Sequence, residues 1–286
     1  MISSLFDRRP HRPHSPDNMI DIGVNLTNSQ LLSDHIEIID RAKTAGLTHC
    51  VVTGTSVDES AKAIELIESL ETQYSDFLSC TTGVHPHDAK DWQPSYSADL
   101  KALASHSSVV AIGEAGLDFH RNFSPPEKQI EAFEAQVAIA IETGKPMFLH
   151  ERDAFKKQQD ILQYHRDDLS RAVIHCFTGD KKALFAYLDL DFHIGITGWV
   201  CDERRGQDLA AIVSNIPLDR LMVETDAPYL LPRNIAPKPK SRVNEPAYLP
   251  WVIKKVAGCF DLPESKIAAS TTDTAIKFFD LNTDQI

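Results

Sequence analysis

An α/β fold consisting of a single (β/α)8 barrel is predicted from three observations. Eight short apolar, β-branched runs alternate with stretches of helical apolar spacing, and such alternation implies a parallel sheet. Eight units over roughly 260 residues match the size of a closed barrel. Four side chains able to hold a metal ion, Glu114, His150, His175 and Asp226, stand at the ends of four different runs. Barrels of this kind gather their functional groups at the C-terminal ends of their strands.

Taken in order, Ile20-Asp21-Ile22-Gly23-Val24-Asn25 reads as a short buried strand. A helix is expected over 29–45, with Gly46 as its stop. The β-branched run 47–53 makes the second strand. Over 57–70, Ala61, Ile64, Ile67 and Leu70 recur at near-helical steps. The third strand, 77–84, delivers His85-Pro86-His87, and a short helix at 98–104 precedes the fourth, 109–113, which ends at Glu114. After a loop at 116–124, the cap Ser124 and the pair Pro125-Pro126 start a helix that Gly144 stops. Strand 146–149 ends at His150, and a helix follows over 153–164. Strand 172–174 ends at His175, followed by helix 181–188 and strand 192–196. Helix 208–213 leads to strand 221–223, which ends in Glu224-Thr225-Asp226. Helices at 246–256, 264–270 and 273–279 close the chain. No repeat or linker interrupts 19–286, which reads as one domain. Residues 1–18, rich in Arg, Pro, His and Ser, read as a disordered tail, with Met19 an alternative start.

Composition narrows the function. The chain has 286 residues, of which 42% are hydrophobic, enough for a substantial core. Its net charge of −12 argues against a sequence-independent nucleic-acid coat. A metal centre can nevertheless neutralise phosphate in an acidic protein. The five cysteines are scattered without metal spacing, which suggests free thiols in a reducing cytoplasm. No apolar stretch approaches a membrane span, so no membrane partner is expected.

Two imidazoles with two carboxylates suit a hydrolytic divalent ion rather than a structural thiolate site. Glu114 leaves its strand between two glycines that permit bending and close approach of a ligand. Asp226 can act as ligand, general base or both, and Glu224 can orient a ligating His. His85 and His87, two apart after the third strand, are candidates for metal or phosphate contact. Arg121, Arg152, Arg204, Arg205, Arg233, Lys238, Lys240 and Arg242 fall beside the expected barrel mouth. The arginines suit phosphate binding, and Trp199 and Tyr229 suit base stacking. The lead reading is a barrel of the metal-dependent hydrolase type.

The ordered set Gly83-Val84-His85-Pro86-His87, 113–119, Leu149-His150, Ile174-His175-Cys176-Phe177 and 224–228 resembles the TatD family of metal-dependent deoxyribonucleases. Thr197-Gly198-Trp199, Glu203-Arg204-Arg205-Gly206 and 242–246 resemble its bacterial branch. The resemblance covers about Met19 to Phe279. It implies a TIM-barrel phosphodiester hydrolase, and for the bacterial branch a magnesium-dependent 3′ to 5′ exonuclease on single-stranded DNA and RNA, linked to repair of oxidative DNA damage. It places metal ligands at Glu114, His150, His175 and Asp226, with Asp226 and Glu114 catalytic. A monomer is expected. Most relatives carry Asp-x-His-x-His on the first strand, where this chain has Asp21-Ile22-Gly23-Val24-Asn25. Gly23 has no side chain and Asn25 is a neutral oxygen ligand, which shifts the expected ion toward Mg2+ or Mn2+ over Zn2+. Two other functions are weighed. An amidohydrolase would share the fold but commonly uses a strand-end Lys, where this chain has Glu114. A metal-poor binding protein would explain the absent His pair but not the four retained ligands.

Overall fold

The computed structural model describes residues 18–282, so the tail expected at 1–18 lies, but for Asn18, outside the described residues, as do 283–286. Eight strands form one parallel sheet in sequence order: β1 (Met19–Val24), β2 (Leu47–Val52), β3 (Leu78–Thr82), β4 (Val109–Asp118), β5 (Met147–Arg152), β6 (Ala172–Ile174), β7 (His193–Ile196) and β8 (Leu221–Val223). Their near-continuous apolar character follows from burial on both faces. The sheet curls until its last strand meets its first. A parallel bridge joins Val24 to Ala227, Asp226 N–H donates to Gly23 O (2.9 Å), and Asn25 N–H donates to Ala227 O (2.8 Å). The buried Asp21 carboxylate locks the same seam. It accepts from Thr225 N–H (2.9 Å) and Thr225 Oγ1 (2.5 Å).

Alternation along each strand sends one set of side chains inward and the other outward. Ile20, Ile22, Val51, Ala111, Phe148, Val173 and Met222 fill the interior. The outer set packs under the helices α1 (Ser29–Leu32), α2 (His35–Thr44), α3 (Val57–Leu70), α4 (Ser95–Ala104), α5 (Pro126–Thr143), α6 (Phe155–Tyr164), α7 (Lys181–Asp189), α8 (Gln207–Ile212) and α9 (Leu249–Phe260). The last helix, α10 (Glu264–Phe279), joins the inner cluster through Ala275, Phe278 and Phe279. Its Thr272 and Thr274 hydroxyls donate to Asn18 O and Leu218 O, just before β1 and β8. It therefore closes the N-terminal end of the barrel, and the opposite end stays open. Among the described residues no helix is long and apolar enough to cross a membrane.

Several elements differ from expectation, among them β5, which runs past His150 to Arg152. The helix expected over 29–45 is broken into α1 and α2 at Ser33 and Asp34, short polar residues that compete with helical hydrogen bonding. The two helices expected over 264–279 are one, because the Thr271 and Thr274 hydroxyls fold back onto Ile267 O and Ser270 O and leave the ladder intact. Most relevant to the site, β4 does not stop at Glu114 but continues to Asp118. Gly113 and Gly116 carry it through at φ of 148° and 142°. A Cβ at these positions would stand 2.1 Å from Phe148 O and 1.9 Å from His150 O, so only glycine fits.

Candidate metal centre

The irregular passage of β4 past β5 aims Glu114 into the open end of the barrel. Glu114 is 6% exposed, and its Oε1 is the point on which three imidazoles converge. His175 Nε2 lies 2.7 Å away, His150 Nδ1 3.1 Å and His85 Nε2 3.2 Å. These residues come from β4, β5, the end of β6 and the loop after β3. Among the described residues, His85, Glu114 and His150 form the group whose ligand atoms all lie within 4.8 Å of one another.

The electrostatics follow from this packing. Burial pushes the Glu114 carboxyl up, but His175 and His85 outweigh it and hold it well below its usual range. Burial pushes His175 down, yet Glu114 and Glu224 hold it well above the ordinary imidazole value. Both of its nitrogens face carboxylate oxygens, Nδ1 donating to Glu224 Oε2 at 3.3 Å. Burial keeps His85 low despite Glu114. His150 is lifted, against burial, by the nearby Asp118 and Glu114 carboxylates. Burial raises the Asp226 carboxyl to about 8. Its Oδ1 accepts from Asn25 Nδ2 at 3.2 Å, so the Asn25 amide is engaged with Asp226.

A divalent ion fits this donor set. A buried carboxylate and several imidazoles share one small space, and the Nε2 atom of His150 has no hydrogen-bond partner, lying 3.4 Å from Asp118 Oδ2. An ion there would take the place of the protons now lying between imidazole and carboxylate. Glu224 stands behind the cluster, fully buried. It fills the space beside Gly23, where an added Cβ would lie 2.3 Å from its Oε2, and its Oε1 accepts from Cys176 N–H at 2.5 Å. Gly23 thus leaves room for a carboxylate that orients His175.

The cluster sits at the floor of a cavity of about 1650 Å³. Arg121, Arg152 and Asn25 line it, together with His87, Asp226 and Tyr229. Arg204, Arg205 and Arg233 are not part of this wall. Arg204 and Arg205 pair with Asp202, and Arg233 with Glu203 (2.7 Å). The Arg205 guanidinium also covers the Trp199 ring at 4.5 Å. Asp118 escaped the sequence reading. It is 1% exposed and accepts from His87 Nε2 (2.8 Å) and from the His120 and Arg121 backbone N–H groups (3.0 and 2.8 Å). The neighbouring His150 and His87 imidazoles, with the Arg121 N–H, hold its carboxyl far below the usual range, against burial. The sequence places it in the loop expected at 116–124, without a role of its own.

The family model for TatD related DNase matches residues 20–280. A protein from Edwardsiella piscicida named 3′-5′ ssDNA/RNA exonuclease TatD is 52% identical over 239 residues, covering 84% of this chain and 90% of its own length. Its namesake from Yersinia pseudotuberculosis is 48% identical over 263 residues, covering 92% and 100%. Among solved structures, a TatD family hydrolase from Entamoeba histolytica superposes with a TM-score of 0.85 at 24% identity, covering 94% of this chain and 100% of that one. A TatD homolog from Escherichia coli gives 0.82 at 24% identity, covering 92% and 98%. At that identity the two structures speak for the fold alone.

Proposed function

The chain belongs to the TatD-related DNase family, and from that premise we propose that it is a metal-dependent 3′ to 5′ exonuclease on single-stranded DNA and RNA. The observation that carries the reading is the convergence of His85, His150 and His175 on Glu114 at the floor of a wide, open cavity. Glu114, His85 and His150 would hold a divalent ion, with His175 and Asp226 completing its surroundings. When bound, the ion supplies Lewis-acid polarisation of the scissile phosphate and acidifies water. Imidazole donors bind Mn2+ more tightly than Mg2+, so Mg2+ serves here through abundance rather than affinity.

The protein's own groups do the rest. Asn25 fixes Oδ1 of Asp226, and with the carboxyl ionised beside a bound cation Oδ2 would be free to accept the proton of the attacking water. Glu224 fixes the tautomer of His175 through Nδ1. Arg121 and Arg152 hold phosphates flanking the cut, so binding weakens as salt rises. Trimming of 3′ ends suits the clearing of oxidatively damaged termini. The test is digestion of 5′-labelled single-stranded DNA with Mg2+, Mn2+ or EDTA, beside Glu114→Gln. A ladder shortening from the 3′ end, lost with EDTA and in the variant, is expected. A folded wild-type protein that leaves the DNA intact with either metal would overturn the proposal.

A further inference from the structure

Two aromatic side chains at the cavity mouth are left half exposed to water. Phe123, in the loop between β4 and α5, is 56% exposed, and Tyr229, three residues past Asp226, is 50% exposed. Large apolar groups left in water at the rim of a polar cavity gain by being covered. Neither is on a loose segment. Before Phe123, Asp118 Oδ1 accepts from the backbone of His120 and Arg121, and Asn122 Nδ2 donates to Phe119 O at 2.7 Å. After it, the fully buried Ser124 donates to His87 O (2.8 Å) and accepts from Lys90 N–H (2.9 Å). The phenyl ring stands edge-on to His87 at 4.7 Å, with the Arg121 guanidinium 5.9 Å from its centroid. Tyr229 is pinned by Asn244 Nδ2 on its carbonyl (2.7 Å) and by Asn28 Nδ2 on its hydroxyl (3.1 Å).

Their placement gives them a shared meaning. Phe123 follows β4 and Tyr229 follows β8. Four strands apart in an eight-stranded barrel, they stand on opposite walls of the mouth. The Glu114 cluster lies on the floor between them. An exonuclease cuts one phosphodiester, with one nucleoside on each side of it. We propose that Phe123 and Tyr229 are stacking platforms for the two bases that flank the scissile phosphate, one base on each wall. The inference rests on the exonuclease reading and deepens it. Stacking is indifferent to base identity and to the 2′-hydroxyl, so it admits DNA and RNA alike. It also requires bases that have left a duplex stack, which selects single strands.

The test compares 3′ ends carrying natural bases with ends carrying a tetrahydrofuran abasic residue at the last or the penultimate position. Wild type, Phe123→Ala, Phe123→Trp, Tyr229→Ala and Tyr229→Phe are assayed for kcat/KM, with thermal melts to confirm folding. Removing a stacked base should cost wild type about 5- to 150-fold. Each alanine variant should lose that penalty at one position and keep it at the other, while Phe123→Trp and Tyr229→Phe retain both. Equal rates on natural and abasic ends in wild type, or full penalties in both alanine variants, would overturn this inference alone. A wild type that shortens no oligonucleotide would overturn the exonuclease reading and this inference with it.

Discussion

Glu224→Gln is a nearly isosteric change with a large expected consequence. Glu224 Oε1 accepts from Cys176 N–H at 2.5 Å and Oε2 from His175 Nδ1–H at 3.3 Å. A glutamine keeps one acceptor. The Cys176 amide is a fixed donor, so it retains the oxygen and the amide nitrogen turns toward His175. That nitrogen donates, so in the neutral ring that an ion requires Nδ1 must become an acceptor and the remaining proton sits on Nε2. Nε2 is the atom that faces Glu114 Oε1 at 2.7 Å, where an ion would need its lone pair. Loss of such an orienting partner typically costs 10- to 100-fold in metal affinity, or about 1.4 to 2.8 kcal/mol. The assay is a Mn2+ titration of exonuclease activity, paired with calorimetric titration in the absence of DNA. The expected result is a metal midpoint raised by that factor in an apoprotein that still melts cooperatively, at a lower temperature because His175 loses one of its two buried counter-charges. Glu224→Ala should do worse, because it also leaves the Cys176 N–H unpaired beside a cavity. An unchanged Mn2+ midpoint in Glu224→Gln would refute the tautomer argument.

Further outcomes follow from single contacts. Gly23→Ala should destabilise the protein by about 1 to 3 kcal/mol through overpacking, because the new Cβ would lie 2.3 Å from Glu224 Oε2; an unchanged urea midpoint would show that Glu224 moves aside freely. Burial raises the Asp21 carboxyl to about 7, against hydrogen bonds from Thr225 that lower it. A carboxyl raised on folding contributes stability below about pH 4, and that contribution is lost as pH rises through 7. Wild type should therefore lose stability relative to Asp21→Asn between pH 4 and 7 in denaturant titrations, and parallel profiles would contradict it. Arg121→Ala and Arg152→Ala should each raise KM and flatten the salt dependence of binding by about one ion. Arg233→Ala, whose guanidinium is held by Glu203, should leave the salt slope alone.

The barrel was legible in the sequence because short apolar runs alternate with stretches of helical apolar spacing. Strands β6 and β8 fall on the expected residues, and Glu114, His150, His175 and Asp226 do gather at one end. What escaped depended on three-dimensional neighbours. The extension of β4 rests on the close approach of the Phe148 and His150 carbonyls to Gly113 and Gly116. Asp118 acquires its partner His87 across 31 residues of sequence, a distance no local pattern spans. His85 and His87 read alike in the sequence as candidates for metal or phosphate contact, and only the fold shows that His85 is the one within the compact ligand group. The arginines near position 204 looked like phosphate binders because the sequence does not reveal that Asp202 and Glu203 occupy them. Gly23, a lost ligand by residue type, is in space the room that Glu224 occupies.

The most direct test of the metal centre is anomalous diffraction from crystals of this protein soaked in Mn2+, with data collected above and below the manganese edge. The expected result is a peak bounded by Glu114, His85 and His150, with His175 at its margin, that vanishes in Glu114→Gln. Crystals that show no peak in the cavity at saturating Mn2+, or a peak held by other residues, would contradict it.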